Sequence, residues 1–325
     1  MKTAFVLCVI ISLVAFSFDD IYIQAPDNTN LELTTEGSSG SFDFASPFGY
    51  DGNPDCGAVW DEPTDPPLYT ATLLNTWQID GTFANRAFGL EFMSIGGNYS
   101  IGFIDGGTTD ALYFASHTDL NTMLYASDLH SSNSSPWGTT VTPPNMTNTD
   151  FSSSNLFRGL WTTWSSYSNP AGDDSRGITR TSDDYLWLTR TTGASGSYDQ
   201  YLGRMQNENP GSIVWYDASA GLGGTRLLSG LTDFTNFSGN TVLAYTIYNS
   251  GWVRFQEYNG SGISFLGYAV LPVSSVDGSY GICYNSIRDS FYWSYYKDSH
   301  YYVVEMSIDV TALSRSTWGQ IKTSF

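Results

Sequence analysis

From residue 99 onward the chain alternates short runs of aromatic and β-branched residues with clusters of Gly, Asn, Asp, Ser and Pro. YSIGFID (99–105), ALYFAS (111–116), YLWLTR (185–190), SIVWYD (212–217), TVLAYTIY (241–248), WVRFQEY (252–258), ISFLGYAVL (263–271), SFYWSYY (290–296) and YYVVEMSI (301–308) each read as a strand bounded by turns. Beyond the first 18 residues few windows place apolar residues at i, i+3, i+4 and i+7, so helices are not expected to build the fold. Between 230 and 308 strand follows turn every 8–12 residues or so (roughly), the spacing of a sandwich, barrel or propeller.

Self-similarity selects the propeller. FGLEFM (88–93), RGITRT (176–181) and YGICYN (280–285) share a Gly followed by an apolar residue, and each leads through a polar turn into an aromatic strand. Gly89, Gly177 and Gly281 lie 88 and 104 residues apart. Half of each interval is close to the length of a four-stranded blade, about 40–50 residues. SGLTDFTNFSGNTVLAYTIY (229–248) supplies a weaker unit near 230, and none is visible near 133. The Ser/Thr/Asn/Pro-rich tract at about 131–155 reads instead as an insertion. GSFDFAS (40–46), GAVWDEP (57–63) and LYTATLLNTWQI (68–79) are expected to give one further blade and the strand that closes the ring. The expectation is an all-β propeller of six blades, within a range of five to seven, each a four-stranded antiparallel sheet. Glycine on an innermost strand permits close backbone approach at a crowded axis, and large aromatics fill the flat faces between blades.

These repeats, best seen in YGICYNSIRDSFYW (280–293), resemble the secreted six-bladed β-propeller superfamily of NHL, TolB-like and YWTD-like proteins over about 70–316. A full YWTD set is absent, as is the catalytic signature of any named family. The resemblance implies a ring of sheets, and propellers host enzymes, binding modules and structural proteins alike.

Composition narrows the setting. Charged residues make up 14% and aromatics 16% of 325 residues, the balance of an ordered, turn-rich β protein. The net charge of −19, with only three lysines, disfavours nucleic acid and anionic membranes as partners. MKTAFVLCVIISLVAFSF opens the chain with one Lys, an apolar run, and Ala15 and Ser17 at −3 and −1 of a cut site, so residues 1–17 read as a secretory signal and 18–325 as one secreted or cell-surface domain. No membrane insertion is expected once the signal is removed. In an oxidising compartment Cys56 and Cys283 are either a disulfide or two buried thiols.

Candidate chemistry is sparse. His117, His130 and His300 show no metal-ligand spacing, and no nucleophile elbow or phosphate-binding loop is present. Asp105 and Asp110 flank the tight loop FIDGGTTD, where oxygen ligands on a Gly/Thr loop would suit calcium, or the aspartates simply cap their own turn. No cofactor is required by the sequence. Glu91, Glu257 and Glu305 lie within expected strands, facing either the axial channel as acids and bases or solvent. Trp60, Trp137, Trp161, Trp164 and Tyr167 stand beside small polar residues, a pattern that suits stacking on sugar rings or packing between blades, whereas Trp187, Trp215, Trp252 and Trp293 read as inter-blade packing. Asn98, Asn133, Asn145, Asn236 and Asn259 head glycosylation sequons.

Three functions follow as expectations. The leading one is a non-catalytic propeller that binds an extracellular glycan or protein through its loop face. A structural subunit that self-assembles in a cell-surface layer or filament is the second. A hydrolase or lyase using channel-facing carboxylates is the third.

Overall fold

A computed structural model of the chain describes residues 22–23, 68–80, 84–106, 111–172, 175–194, 197–206, 209–219, 227–235, 239–248, 250–273 and 276–309. Three strands precede the repeats: β1 (Tyr22–Ile23), β2 (Leu68–Tyr69) and β3 (Ala71–Gln78). The first blade is β4 (Leu90–Ile95), β5 (Asn98–Asp105), β6 (Ala111–Ser116) and β7 (Asp119–Asp128). The second is β8 (Pro136–Thr142), β9 (Asn145–Asp150), β10 (Asn155–Leu160) and β11 (Thr163–Ser168). The third is β12 (Ile178–Arg180), β13 (Tyr185–Ala194), β14 (Ser197–Gln206) and β15 (Val214–Asp217). The fourth is β16 (Leu228–Thr235), β17 (Thr241–Ile247), β18 (Trp252–Tyr258) and β19 (Ile263–Val270). In the fifth, β20 (Gly278–Asn285), β21 (Ser290–Lys297) and β22 (His300–Ile308) are completed at the outer edge by β3, which pairs antiparallel with β22. The ring thus closes by joining an early strand to the last blade, which leaves no long free radial edge between first and last repeats.

The described residues form five blades, not six. Of the segments expected to supply the extra blade, LYTATLLNTWQI delivers β2 and the closing strand β3, and 40–46 and 57–63 lie outside the described residues. The unit missing from the sequence pattern is the second blade. The tract expected as an insertion is its two innermost strands, and every residue of β8 is buried. It escaped notice because hydroxyls do there what aliphatic side chains do elsewhere. Thr139 donates to the Asn148 carboxamide at 2.7 Å, Thr142 and Thr147 share a bond of 2.8 Å, and Thr149 accepts from the Gly138 amide at 2.8 Å. Most of the buried polar groups of these strands are paired in this way, which is what lets a polar strand stay buried.

Five glycines pin the axis. Gly89, Gly138, Gly177, Gly230 and Gly281 begin or lie within the five innermost strands, and each backs onto the next blade's backbone. A methyl added at Gly89 would fall 2.5 Å from the Trp137 carbonyl oxygen, at Gly177 2.7 Å from that of Ser229, and at Gly281 2.6 Å from the Leu90 nitrogen. The last contact returns to the first blade, so the ring is closed. Hydroxyls on the second strands stitch it. Thr149, Thr246 and Ser294 each accept from their own blade's glycine amide and donate at 2.8, 2.6 and 2.9 Å to the carbonyl of Arg176, Tyr280 and Phe88, the residue before the next glycine. The first blade departs from the pattern, placing Ile104 opposite Gly89, and the third in part, where Thr189 accepts from the Gly177 amide at 2.7 Å and turns back to the Gly177 carbonyl at 3.5 Å.

Each junction between blades has its own core. Five apolar clusters occupy the five junctions, for example Phe255, Phe291 and Trp293 between the fourth and fifth blades and Tyr292, Leu90 and Phe103 between the fifth and first. Trp187 and Trp293 are fully buried in such clusters, as expected, whereas Trp252 is buried against Tyr268 of its own blade and Trp215 is half-buried against Tyr201. Fully burying one such side chain contributes about 2–3 kcal/mol, so these flat faces carry most of the stabilisation. Among the described residues no helix is long and apolar enough to cross a membrane.

Candidate functional site

The glycine ring pinches the axis and leaves two chemically different ends. At the end where the inner strands start, the residues just before the glycines are Phe88, Trp137, Arg176, Ser229 and Tyr280. Phe88 stacks on Trp137 with centroids 5.0 Å apart and lies 4.9 Å from Tyr280. The Arg176 guanidinium sits over Trp137 at 4.7 Å and Tyr248 at 5.0 Å. Trp137 donates its indole N–H to the Ser229 hydroxyl at 3.2 Å and is 3% exposed. This end is an aromatic plug.

At the opposite end the inner strands carry polar and charged groups. Two residues beyond each glycine stand Glu91, Thr140, Thr179, Thr232 and Cys283; three beyond stand Phe92, Val141, Arg180, Asp233 and Tyr284. The strands repeat one local design here: a side chain from the first set reaches the next blade's second-set residue. Thr232 accepts from the Tyr284 amide at 3.1 Å, and Thr179 donates to the Asp233 carboxylate at 2.8 Å. Glu91 lies beside the Val141 amide and the Thr140 hydroxyl in the same manner. The four equivalent positions hold three threonines and a cysteine. Glu91 alone brings a carboxylate.

Glu91 and Asp233 are half-buried residues on blades that are not neighbours, and their carboxyl groups repel across the axis. Burial pushes Glu91 well above the ordinary carboxylate range and the Asp233 charge adds to it, against smaller opposing pulls from the Val141 amide, the Thr140 hydroxyl and Arg180. Burial likewise raises Asp233 to about 7, with Asp183 adding and Thr179 and Arg180 opposing. Arg180 is itself held below its usual range by burial and by Arg158. It forms an ion pair with the exposed Asp184, while Asp183 is held by Arg204 at 2.6 Å. Two carboxyl groups raised above their ordinary range by burial, with Thr140, Thr179 and Arg180 beside them, are equipped to donate and accept protons. Beyond this mouth β1 pairs in parallel with the axial edge of β4, at Ser94 and Ile95.

The residues singled out by sequence fall in separate places. Trp137 is in the aromatic plug. Trp161 and Trp164 are half-buried between the first two blades, where Trp161 faces Phe114 and Trp164 donates to the Asp128 carbonyl at 2.9 Å. Tyr167 packs near Leu156 and Met205 at the next junction, and Trp60 lies outside the described residues. The four described aromatics therefore share no common platform. Asp105 is fully buried and accepts the Asn85 amide at 2.8 Å; Asp110 lies outside the described residues. Among the described residues no three His, Cys, Asp or Glu side chains gather as metal ligands. Cys283 is a free, buried thiol, pushed up by burial and by Glu91, and Cys56 lies outside the described residues. Asn133 is buried, which keeps its sequon from a glycan-transferring enzyme in the folded chain.

Of the three strand glutamates only Glu91 reaches the axis. Glu305 is fully buried and bound by Arg288 at 2.5 and 3.1 Å, Asn75 at 2.6 Å and Ser290 at 2.8 Å, which together hold its carboxyl low against the cost of burial. Glu257 accepts from Asn240 at 3.0 Å. His130 packs on Phe157, His300 bonds Asp80 at 2.6 Å, and His117 faces Asn285 at 3.1 Å. Asp233, Arg180, Thr140 and Thr179 were missed by sequence reasoning, although Asp233 and Arg180 both sit three residues after a repeat glycine.

No family model matches the chain, and no curated protein matches it. Solved structures do. The glutaminyl cyclase of Myxococcus xanthus aligns at 14% identity and a TM-score of 0.50, over 75% of this chain and 99% of that one. A mannose phosphorylase from Leishmania mexicana aligns at 8% identity and 0.46, over 74% and 91%. A chain of a nidogen/laminin complex aligns at 15% identity and 0.42, over 64% and 72%. The first of these, together with the five sheets, shows the fold: the chain is a β-propeller. The propeller half of the sequence resemblance therefore holds, and its six-blade count does not.

Proposed function

We propose that the protein binds a small polar molecule in the acid mouth of the axis and exchanges a proton with it. The observation that carries this reading is Glu91. Four blades fill its equivalent position with Thr140, Thr179, Thr232 and Cys283, and the fifth places a carboxylate there, opposite Asp233. A buried like-charge pair costs stability, and such departures from a locally consistent pattern concentrate at functional sites. In this reading Glu91 and Asp233 act as acid and base, Thr179 orients Asp233, and Arg180 balances charge as the pair ionises. The leader read at residues 1–17 would deliver this activity outside the cell.

The test is a thermal-shift panel of sugars, sugar acids, amino acids and amines at pH 6 and pH 8, with the Glu91→Gln/Asp233→Asn double variant and Trp164→Ala alongside. A ligand at a hundredfold its Kd stabilises the folded chain by about 2.7 kcal/mol, readily seen as a shift in Tm. The expected result is stabilisation of wild type and Trp164→Ala that is lost in the double variant. Equal stabilisation of all three proteins, or loss only in Trp164→Ala, would move the site away from the axis.

A further inference from the structure

We propose that His117 is an acid-released latch on the seam where the fifth blade meets the first: its imidazole accepts a hydrogen bond from Asn285 only while neutral, so acid loosens that seam. The latch is separate from Glu91 and Asp233 and does not depend on them.

His117 lies half-buried in the turn between β6 and β7 of the first blade, and its amide donates to the Tyr99 carbonyl of the same blade at 3.4 Å. Among the described residues two side-chain bonds tie this turn to the fifth blade. The Tyr292 hydroxyl donates to the His117 carbonyl, and the Asn285 carboxamide nitrogen lies 3.1 Å from His117 Nδ1. Asn285 is fully buried and ends β20. Its Oδ1 accepts the Ile287 and Arg288 amides at 3.0 and 3.2 Å, which fixes its NH2 group toward the imidazole. An NH2 group only donates, so Nδ1 carries the lone pair and the ring proton sits on Nε2. Protonation of Nδ1 sets N–H against N–H. Asn285 cannot turn over to relieve this without giving up both backbone amides.

The charges around the ring favour the neutral form. From the fifth blade Arg288 repels an imidazolium and Glu305 attracts it, but Glu305 is already bound by Arg288, Ser290 and Asn75. Tyr292 is engaged with the His117 carbonyl. From the first blade come the rings of Phe92 at 6.0 Å and Tyr99 at 5.7 Å, while Asp119, two residues on, accepts from Asn121 and Thr122. Burial and Arg288 together hold His117 below its ordinary value of 6.5, against the smaller pull of Glu305. A lowered histidine stabilises the fold fully above 6.5, and that contribution is lost as pH falls toward the folded value. Its sign is opposite to that of the raised carboxyls, so the latch is read locally. Acid removes the Asn285 tie and leaves the one from Tyr292.

Long-range proton–nitrogen spectra of the full chain carrying labelled histidine, assigned through His117→Gln, test this between pH 4 and 8. The expected spectrum at pH 7.5 shows a proton on Nε2 and none on Nδ1, with a midpoint below 6.5. Asn285→Asp keeps an acceptor for the Ile287 and Arg288 amides and turns a carboxylate oxygen toward Nδ1, so it should move the midpoint above 6.5. Hydrogen exchange, corrected for its intrinsic pH dependence, should show residues 116–120 losing protection at pH 5 relative to pH 7.5. His117→Gln, whose carboxamide oxygen accepts from Asn285 at either pH, should not lose it, and β17 should be unchanged in both proteins. A wild-type midpoint at or above 6.5, a proton on Nδ1 at pH 7.5, or exchange at the turn that ignores pH would each overturn the latch. A midpoint lowered equally in wild type and Asn285→Asp would overturn it too, leaving burial alone as the cause.

Discussion

Gly281→Ala should destabilise the propeller by about 3 kcal/mol or more, a large fraction of the 5–15 kcal/mol that holds an ordinary domain. The added methyl would meet the Phe88 carbonyl oxygen, the Leu90 nitrogen at 2.6 Å and the Gly89 carbonyl carbon at 2.9 Å. All three are backbone, so no rotamer change relieves the clash, and the first and fifth blades must move apart where the ring closes. That movement also strains the Ser294 bridge between the Gly281 amide and the Phe88 carbonyl. Gly262→Ala is the matched control, because nothing lies within 4 Å of its added methyl. It should change stability by no more than about 0.5 kcal/mol. Urea denaturation of both variants checks the pair, and similar midpoints would mean that the glycine ring is not the tight point of the fold.

Stability should fall as pH rises from 5 to 7, opposite to the trend that salt-bridged carboxylates produce. Asp233 and Glu91 are both raised in the folded chain, Asp233 to about 7 from 3.8. A raised acid favours the folded state fully below its unfolded value, and that contribution disappears as pH climbs through the folded value. Each such group gives a slope of about 1.4 kcal/mol per pH unit within its window. Asp80, Asp183 and Glu305 are lowered, and their contribution is lost only below the ordinary carboxylate range, so it leaves this window untouched. Asp233→Asn should flatten the decline by about one group and Glu91→Gln by another. Denaturation midpoints at pH 5, 6, 7 and 8 decide the matter; a flat wild-type profile identical to the variants would contradict a buried acid pair.

Much of the fold was legible because its determinants are local. Gly89, Gly177 and Gly281 announce inner strands, and halving their spacing places units near 133 and 229, close to the inner-strand glycines Gly138 and Gly230. The second blade was hidden by chemistry: PWGTTVT carries the same aromatic–Gly step as FGL and YGI, but Thr139 through Thr149 pair through hydroxyls and read as loop. The blade count failed at closure, since β3 resembles the start of a repeat and instead finishes the last one. The acid mouth was half legible. Glu91 stood out as a carboxylate in a strand, whereas its partner is 142 residues away and is joined to it only by the ring. Exposure was the hardest property to read. Trp137 sits among Ser, Pro and Gly in sequence, yet it is buried because Phe88, Arg176 and Tyr280 arrive from three other blades.

The whole functional account hangs on two carboxyl groups raised by burial at one end of a five-bladed ring. Side-chain carboxyl carbon resonances, assigned through Glu91→Gln and Asp233→Asn and followed from pH 3 to 9, measure this directly. The account predicts Asp233 titrating at about 7 and Glu91 well above the ordinary glutamate range, with Asp233→Asn lowering Glu91. Both resonances titrating near 4, unaffected by loss of the other, would contradict it.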